Sequence, residues 1–287
     1  SDGTIALDID DVVRTAAFFG ASVVLVAVSK LVRDKLAHRK GFALPQRVVE
    51  DNNVAVGVEM GGFVLAVILG LLGGLVVQGT EWWEQGRDLL LTWGIVTGVL
   101  LANDQLVSRW VLRGLDCNGA VAHDGNLAVA IVRASANIGT ALVLQGSLGN
   151  DSPMLERIIW VLIGQVALVG LSLAYQVLTR YDDVAEVRHR NVAAALPMAG
   201  VLIAVGIVVQ SVLQGTSAGW TDDLLSLVLD LAVSALLVVV LRWGGERLFL
   251  PGASYHEEIV RDKNTGVGFI EAVTYVAAAL MVAYFLN

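Results

Sequence analysis

The chain alternates between long apolar stretches and short polar ones. A helix that crosses a bilayer needs about 20 mostly apolar residues. Eight stretches have that length, at roughly 12–32, 54–79, 88–112, 127–148, 155–179, 192–214, 223–243 and 265–286. Each run is continuous rather than alternating with period two, which argues against a membrane β-barrel. The connections are short, so consecutive helices should form antiparallel hairpins, and no segment is left over for a soluble domain. The pattern predicts an all-α integral membrane protein of eight transmembrane helices in four hairpins.

Composition agrees. The 287 residues are 56% hydrophobic and 16% charged, whereas a soluble domain carries about 25% charged residues. A net charge of −8 would repel polyanions, so no nucleic-acid partner is expected. The one cysteine, Cys117, excludes an intramolecular disulfide. Lys and Arg set the expected orientation. Fifteen of the 19 basic residues flank the loops after helices 1, 3, 5 and 7; Arg14, Arg87 and Arg157 lie on the other side, and Arg133 lies inside a helix. Those four loops should therefore face the cytoplasm, with both termini outside. The acids Asp8, Asp10, Asp11, Glu81, Glu84, Asp222 and Asp223 fall on the outer side, with Trp82, Trp83 and Trp220 at its boundary.

The even-numbered helices repeat. They read NVAVGVEMGG from Asn53, NLAVAIVRAS from Asn126, NVAAALPMAG from Asn191 and NTGVGFIEAV from Asn264. Asn53 and Asn191 lie 138 residues apart, as do Asn126 and Asn264. Two halves, 1–150 and 151–287, are thus four-helix repeats of one another. Each has an even number of crossings, so equivalent helices point the same way and the pseudo-twofold lies along the membrane normal. Every even helix carries small residues four and eight positions after its Asn: Gly57 and Gly61, Ala130 and Ala134, Ala195 and Ala199, Gly268 and Ala272. That spacing places each set on one face, where small residues let helices approach closely in lipid. The even helices should therefore be central and the odd ones lipid-facing. The four Asn residues admit two readings: N-caps, or a ring of amides at a cytoplasmic mouth.

The segments LTRYDDVAEVRHRNVAAALPMAG and RLFLPGASYHEEIVRDKNTGVGF resemble the YjfL-like family of bacterial inner-membrane proteins (domain of unknown function 350). The family pattern is an apolar helix, a charged linker, then Asn-x-Ala-x-Ala opening the next helix. Asn191, Ala193 and Ala195 match it, as do Asn126, Ala128 and Ala130. Asn53, Ala55 and Gly57 match with one substitution, and Asn264, Gly266 and Gly268 keep the Asn and the small size. The resemblance implies a bacterial plasma-membrane protein made of two tandem copies, and carries no known reaction with it. Single-copy relatives are then expected to pair to complete the same bundle.

Ionisable residues within spans are functional candidates by default. Four stand out: Glu59, Arg133, Asp230 and Glu271. Arg133 and Glu271 are equivalent across the duplication, which suggests a pair across the central axis, either fixing register or forming a charged constriction. Glu59 has Pro197 at its equivalent position and should be a proton-linked carboxylate or reach up to cytoplasmic water. The linker RDKLAHRK (33–40) suits anionic lipid head groups or topology alone. His38, His123, His189 and His256 fall in loops without metal-ligand spacing, so no metal and no cofactor is expected. No phosphate loop, H-E-x-x-H or G-x-S-x-G occurs, and no enzyme is expected. Two functions remain: a channel or transporter for a small ion or solute through the repeat bundle, and a non-transporting scaffold recruiting partners in an envelope-stress or membrane-maintenance complex. The expected partners are the lipid bilayer and either a second copy or a cytoplasmic protein.

Overall fold

The computed structural model describes residues 9–39, 41–42, 44–74, 81–149, 152–179, 181–214, 219–249 and 252–286. Among them are eight long helices and no strand. They are α1 (Ile9–Arg39), α2 (Val54–Gly74), α3 (Trp82–Val111), α4 (Leu127–Leu148), α5 (Met154–Leu178), α6 (Val192–Gln214), α7 (Trp220–Phe249) and α8 (Thr265–Phe285). All eight are long and apolar enough to cross a membrane. Asp8, Lys40 and Arg180, counted in the charge bias, lie outside the described residues.

One local device starts every even helix. A short helical segment (Leu44–Val49, Cys117–Ala122, Asp183–Arg188 or Glu257–Arg261) ends just before it. A residue with positive φ follows: Asn52, Gly125, Arg190 or Lys263. That left-handed step reverses the chain, and the repeat Asn comes next. In three repeats the Asn N–H closes onto the carbonyl six residues back, at Arg47, Ala120 and Glu258; in the other, Asn191 N–H closes five back on Glu186, the hydrogen bond that ends a helix in the Schellman manner. In three repeats the same Asn then caps the long helix, whereas the side-chain oxygen of Asn191 is buried and accepts no hydrogen bond from the described residues. Asn53 Oδ1 accepts from Val56 N–H at 3.1 Å, Asn126 Oδ1 from Val129 at 3.2 Å, and Asn264 Oδ1 from Gly266 and Val267.

The even helices form a parallel row in the order α2, α4, α6, α8. Backbone-close contacts fix both the order and the sense. A Cβ added at Gly62 would lie 2.4 Å from Ala134 Cβ, and one at Gly73 would lie 2.8 Å from Gln145 Cα; both partners advance together, so α2 and α4 are parallel. Between α4 and α6, Gly139 lies against Leu202, and Gly146 against Gln210. Between α6 and α8, Gly200 lies against Ala272. The Gly62–Ala134 and Gly200–Ala272 contacts are equivalent under the 138-residue repeat. Small residues are required because such approach leaves no room for a side chain.

Two expectations are corrected here. The small-residue face is buried in α4, α6 and α8, but in α2 both Gly57 and Gly61 face open space, and Gly62 makes the contact instead. The reason is position: α2 ends the row and has a neighbour on one side only. The odd helices are also not alike. α1 and α7 expose most of their surface, whereas α3 and α5 are partly buried, α5 lying on both α4 and α6.

Candidate functional site

In the first half the row and its neighbours enclose four charges. Arg133 (α4) lies seven residues into its helix, about 10 Å from the start. Its Nη1 is 3.1 Å from Glu59 Oε1 (α2) and its Nη2 is 3.2 Å from Asp104 Oδ1 (α3). Arg33 (α1) pairs with Glu59 and places Nε 3.5 Å from Asp104 Oδ2. Each carboxylate thus lies between two guanidinium groups, and the cluster is neutral. Asn118 Oδ1 accepts from Arg133 Nη1 at 3.0 Å, and the Phe63 ring lies 4.7 Å beneath Arg33. Arg33, Glu59 and Arg133 are all buried. Charges so placed persist only when paired and hydrogen-bonded. A cavity of about 140 Å³ adjoins them, lined also by Gln105 and Asn118.

The second half places an ion pair of reversed polarity at the same place. Arg242 Nη1 (α7) lies 3.2 Å from Glu271 Oε1 (α8). The offset that relates Asn53 to Asn191 relates Asp104 to Arg242 and Arg133 to Glu271. Arg33 and Glu59 have Leu171 and Pro197 at their equivalents, and tyrosines take over the polar work. Tyr275 donates to Glu271, Tyr175 packs edge-on against Tyr275 at 5.9 Å, and Arg242 lies 5.6 Å from the Tyr255 ring.

Four readings from sequence are overturned. Arg133 and Glu271 do not pair with each other; each finds its partner in its own half, because α6 stands between α4 and α8. Glu59 does not extend up to the cytoplasmic surface but is buried and held by both arginines. Arg33 belongs to no lipid-facing linker but to the buried cluster. Nor do the four amides form a ring. Asn53 Nδ2 donates to Val121 O at 3.0 Å, Asn126 Nδ2 to Val187 O at 3.0 Å, and Asn191 Nδ2 to Ile259 O at 2.8 Å. Each of these three Asn therefore ties its helix to the short segment of the next repeat, and together they form a staircase along the row. Asn126→Ala removes a cap and leaves a buried staple empty, so its cost should reach about 2 kcal/mol. Asn264→Ala, at an exposed site, should cost about 1 kcal/mol. Thermal unfolding in detergent measures both. Asp230 is buried on α7, apart from these clusters, and His38, His123 and His189 are exposed.

Sequence reasoning missed Arg33, Asp104 and Arg242. Asp104 carried a usable signal, an acid inside an apolar run with an opposite charge at its repeat equivalent. Arg33 carried none, because it sits among other basic residues.

Beside the second cluster, between the halves, a cleft of about 500 Å³ is lined by Arg113, Gln176, Thr179, Tyr181, Asp183 and Arg188 among others. Asp183 is buried there, and Thr179 donates to its Oδ2. Burial raises its pKa to about 7, and the hydrogen bond from Thr179 only partly offsets this. The folded carboxyl thus keeps its proton to higher pH than the unfolded one. Its contribution to stability should be full below about pH 4 and fall as pH rises to about 7, at about 1.4 kcal/mol per pH unit at most. Asp183→Asn should remove that contribution, so the stability of the variant should fall less than that of the parent between pH 4 and pH 8, which unfolding over that range checks.

Eight apolar helices, duplicated halves and a buried charge cluster in each define a multi-pass membrane protein built by tandem repetition. The family model described as Domain of Unknown Function (DUF350) matches residues 6–148 and again 151–286. The chain belongs to that family and contains two tandem copies of its domain. Neither a curated protein nor a solved structure matches it.

Proposed function

We propose that the protein moves a small ion or solute across a bacterial plasma membrane, along the buried polar side of α4. One observation carries the reading. Arg133, Asn137, Thr140 and Ser147 share one side of α4, at spacings of four, three and seven, and all are buried. Neighbouring helices supply matching groups. Asn103 Nδ2 donates to Asn137 Oδ1 at 2.8 Å, Gln165 lies 3.2 Å from Thr140 Oγ1, and Gln210 Nε2 donates to Gln145 Oε1 at 2.8 Å near the far end. Polar side chains are costly in a membrane core and concentrate along substrate pathways. The path runs beside the row rather than between its helices, where backbones touch. The protein acts without covalent chemistry, and its basic linkers face the cytoplasm with both termini outside, as the Lys/Arg bias favours.

The test is flux into liposomes holding the purified chain, under proton, alkali-cation and chloride gradients. Flux is expected, with at least a tenfold loss in Asn137→Leu and none in Gly57→Ala. A chain passive under every gradient overturns the reading. The scaffold alternative draws support from the close-packed row, which is rigid enough to present partners. It requires a protein that co-purifies from native membranes, and a chain that always purifies alone counts against it.

A further inference from the structure

The row of even helices has two unlike free edges, and they are complementary. At the α2 edge, Gly57 and Gly61 face open space. Their equivalents in α6, Ala195 and Ala199, are buried on the stripe that continues to Leu202 and Gly206, where α6 receives α4. The α2 edge is therefore the surface that an α4-type helix covers elsewhere in the molecule. At the α8 edge, Phe269 and Val273 are exposed. They stand on the stripe equivalent to that which α4 presents to α6.

The staircase of amides ends unevenly at the same edge. Asn53, Asn126 and Asn191 each donate to a carbonyl four or five residues before the next repeat Asn. Asn191 uses both amide hydrogens, one on Ile259 O and one on its own Glu186 at 2.7 Å. Asn264 repeats only the second of these, donating to its own Glu258 at 2.9 Å, and it is exposed. The carbonyl that would continue the series is that of Val48, five residues before Asn53, at the opposite edge.

We infer that a second copy of this chain docks α8 against α2, repeating the α4–α6 contact and placing Asn264 on the Val48 carbonyl. Bulk decides where the helices cross. Gly139, Gly146 and Gly206, which bring α4 and α6 together, have Ala277, Tyr284 and Ile68 as their edge equivalents. Close approach is thus barred in the outer part of the edge contact and moves to Gly57 and Gly61, at the end where Asn264 also lies. There the open glycine face receives Phe269 and Val273. The inference does not rest on the transport reading, since a scaffold would dock in the same way.

Gly139 lies between Leu202 and Gly206; one turn earlier that register sets Ser135 beside Ala199, so by the repeat Val273 of one copy faces Gly61 of the next. In a Cys117→Ala background, Gly61→Cys combined with Val273→Cys should form disulfide-linked dimers and higher species when membranes are oxidised. The two positions lie at opposite ends of one row, so a bond within one chain does not compete. Gly61→Cys with Val239→Cys, an exposed site on α7, is the control and should yield at least tenfold less. Single-molecule photobleaching of the chain with its native residues at these positions, in liposomes, should show mostly two or more steps, and Gly61→Trp should shift this to one. Single steps at every protein density, or equal linkage in the control, overturn the inference and leave lipid as the cover of both edges.

Discussion

Replacing Arg133 with methionine should destabilise the folded protein by about 3–5 kcal/mol, the largest effect expected of any single substitution here. The guanidinium contacts Glu59 and Asp104 together. Without it, two carboxylates remain in a buried site with Arg33 alone, and one negative charge is uncompensated. Loss of the attraction is the smaller part; the greater part is a largely buried charge left without its partner. The double substitution Arg133→Met with Asp104→Leu restores neutrality by leaving Arg33 and Glu59 as a pair. It should recover about 2 kcal/mol, because residues in one ion network are not additive. In the second half, Glu271→Gln should cost less, about 1–3 kcal/mol. Arg242 is one-third exposed, so solvent takes up part of the charge that Glu271 leaves. Denaturant unfolding of the purified variants gives all three values.

Gly139→Leu should cost about 3 kcal/mol or more and loosen the two halves from each other. A Cβ at that position falls 2.4 Å from Leu202 O and 3.1 Å from the Leu168 side chain. The nearest obstacle is backbone carbonyl, which cannot turn away as a flexible side chain can. From the other side, Gly206 meets Gly139 in the same manner at 2.7 Å. The helices can accept a side chain only by separating along the seam between the halves. Gly57→Ala and Gly61→Ala should have the opposite sign. Nothing lies within 4 Å of a Cβ at either site, and alanine gains about 0.5–1 kcal/mol over glycine inside a helix. Glycines that look alike in sequence are thus separated by whether a backbone stands opposite. Thermal melting of the three variants in one detergent is the comparison that checks it.

The helix ends reach up to seven residues beyond the apolar runs, as at Arg39 of α1, but the eight long helices, the duplication and three of the four Asn caps are legible in the residues alone. Those properties depend on runs of apolar residues and on Asn at fixed offsets, which are local and survive without knowledge of neighbours. The tertiary structure alone decided that the even helices form an open row rather than a ring, because adjacency between helices leaves no mark on either one separately. It likewise decided which charges meet. Arg133 and Glu271 are equivalent by repeat, yet equivalence relates environments and not contacts, and α6 keeps them apart. Arg33 read as one more basic residue of a linker until α1 carried it down beside Glu59. An ion pair is a property of distance between helices, and only the packed row sets that distance.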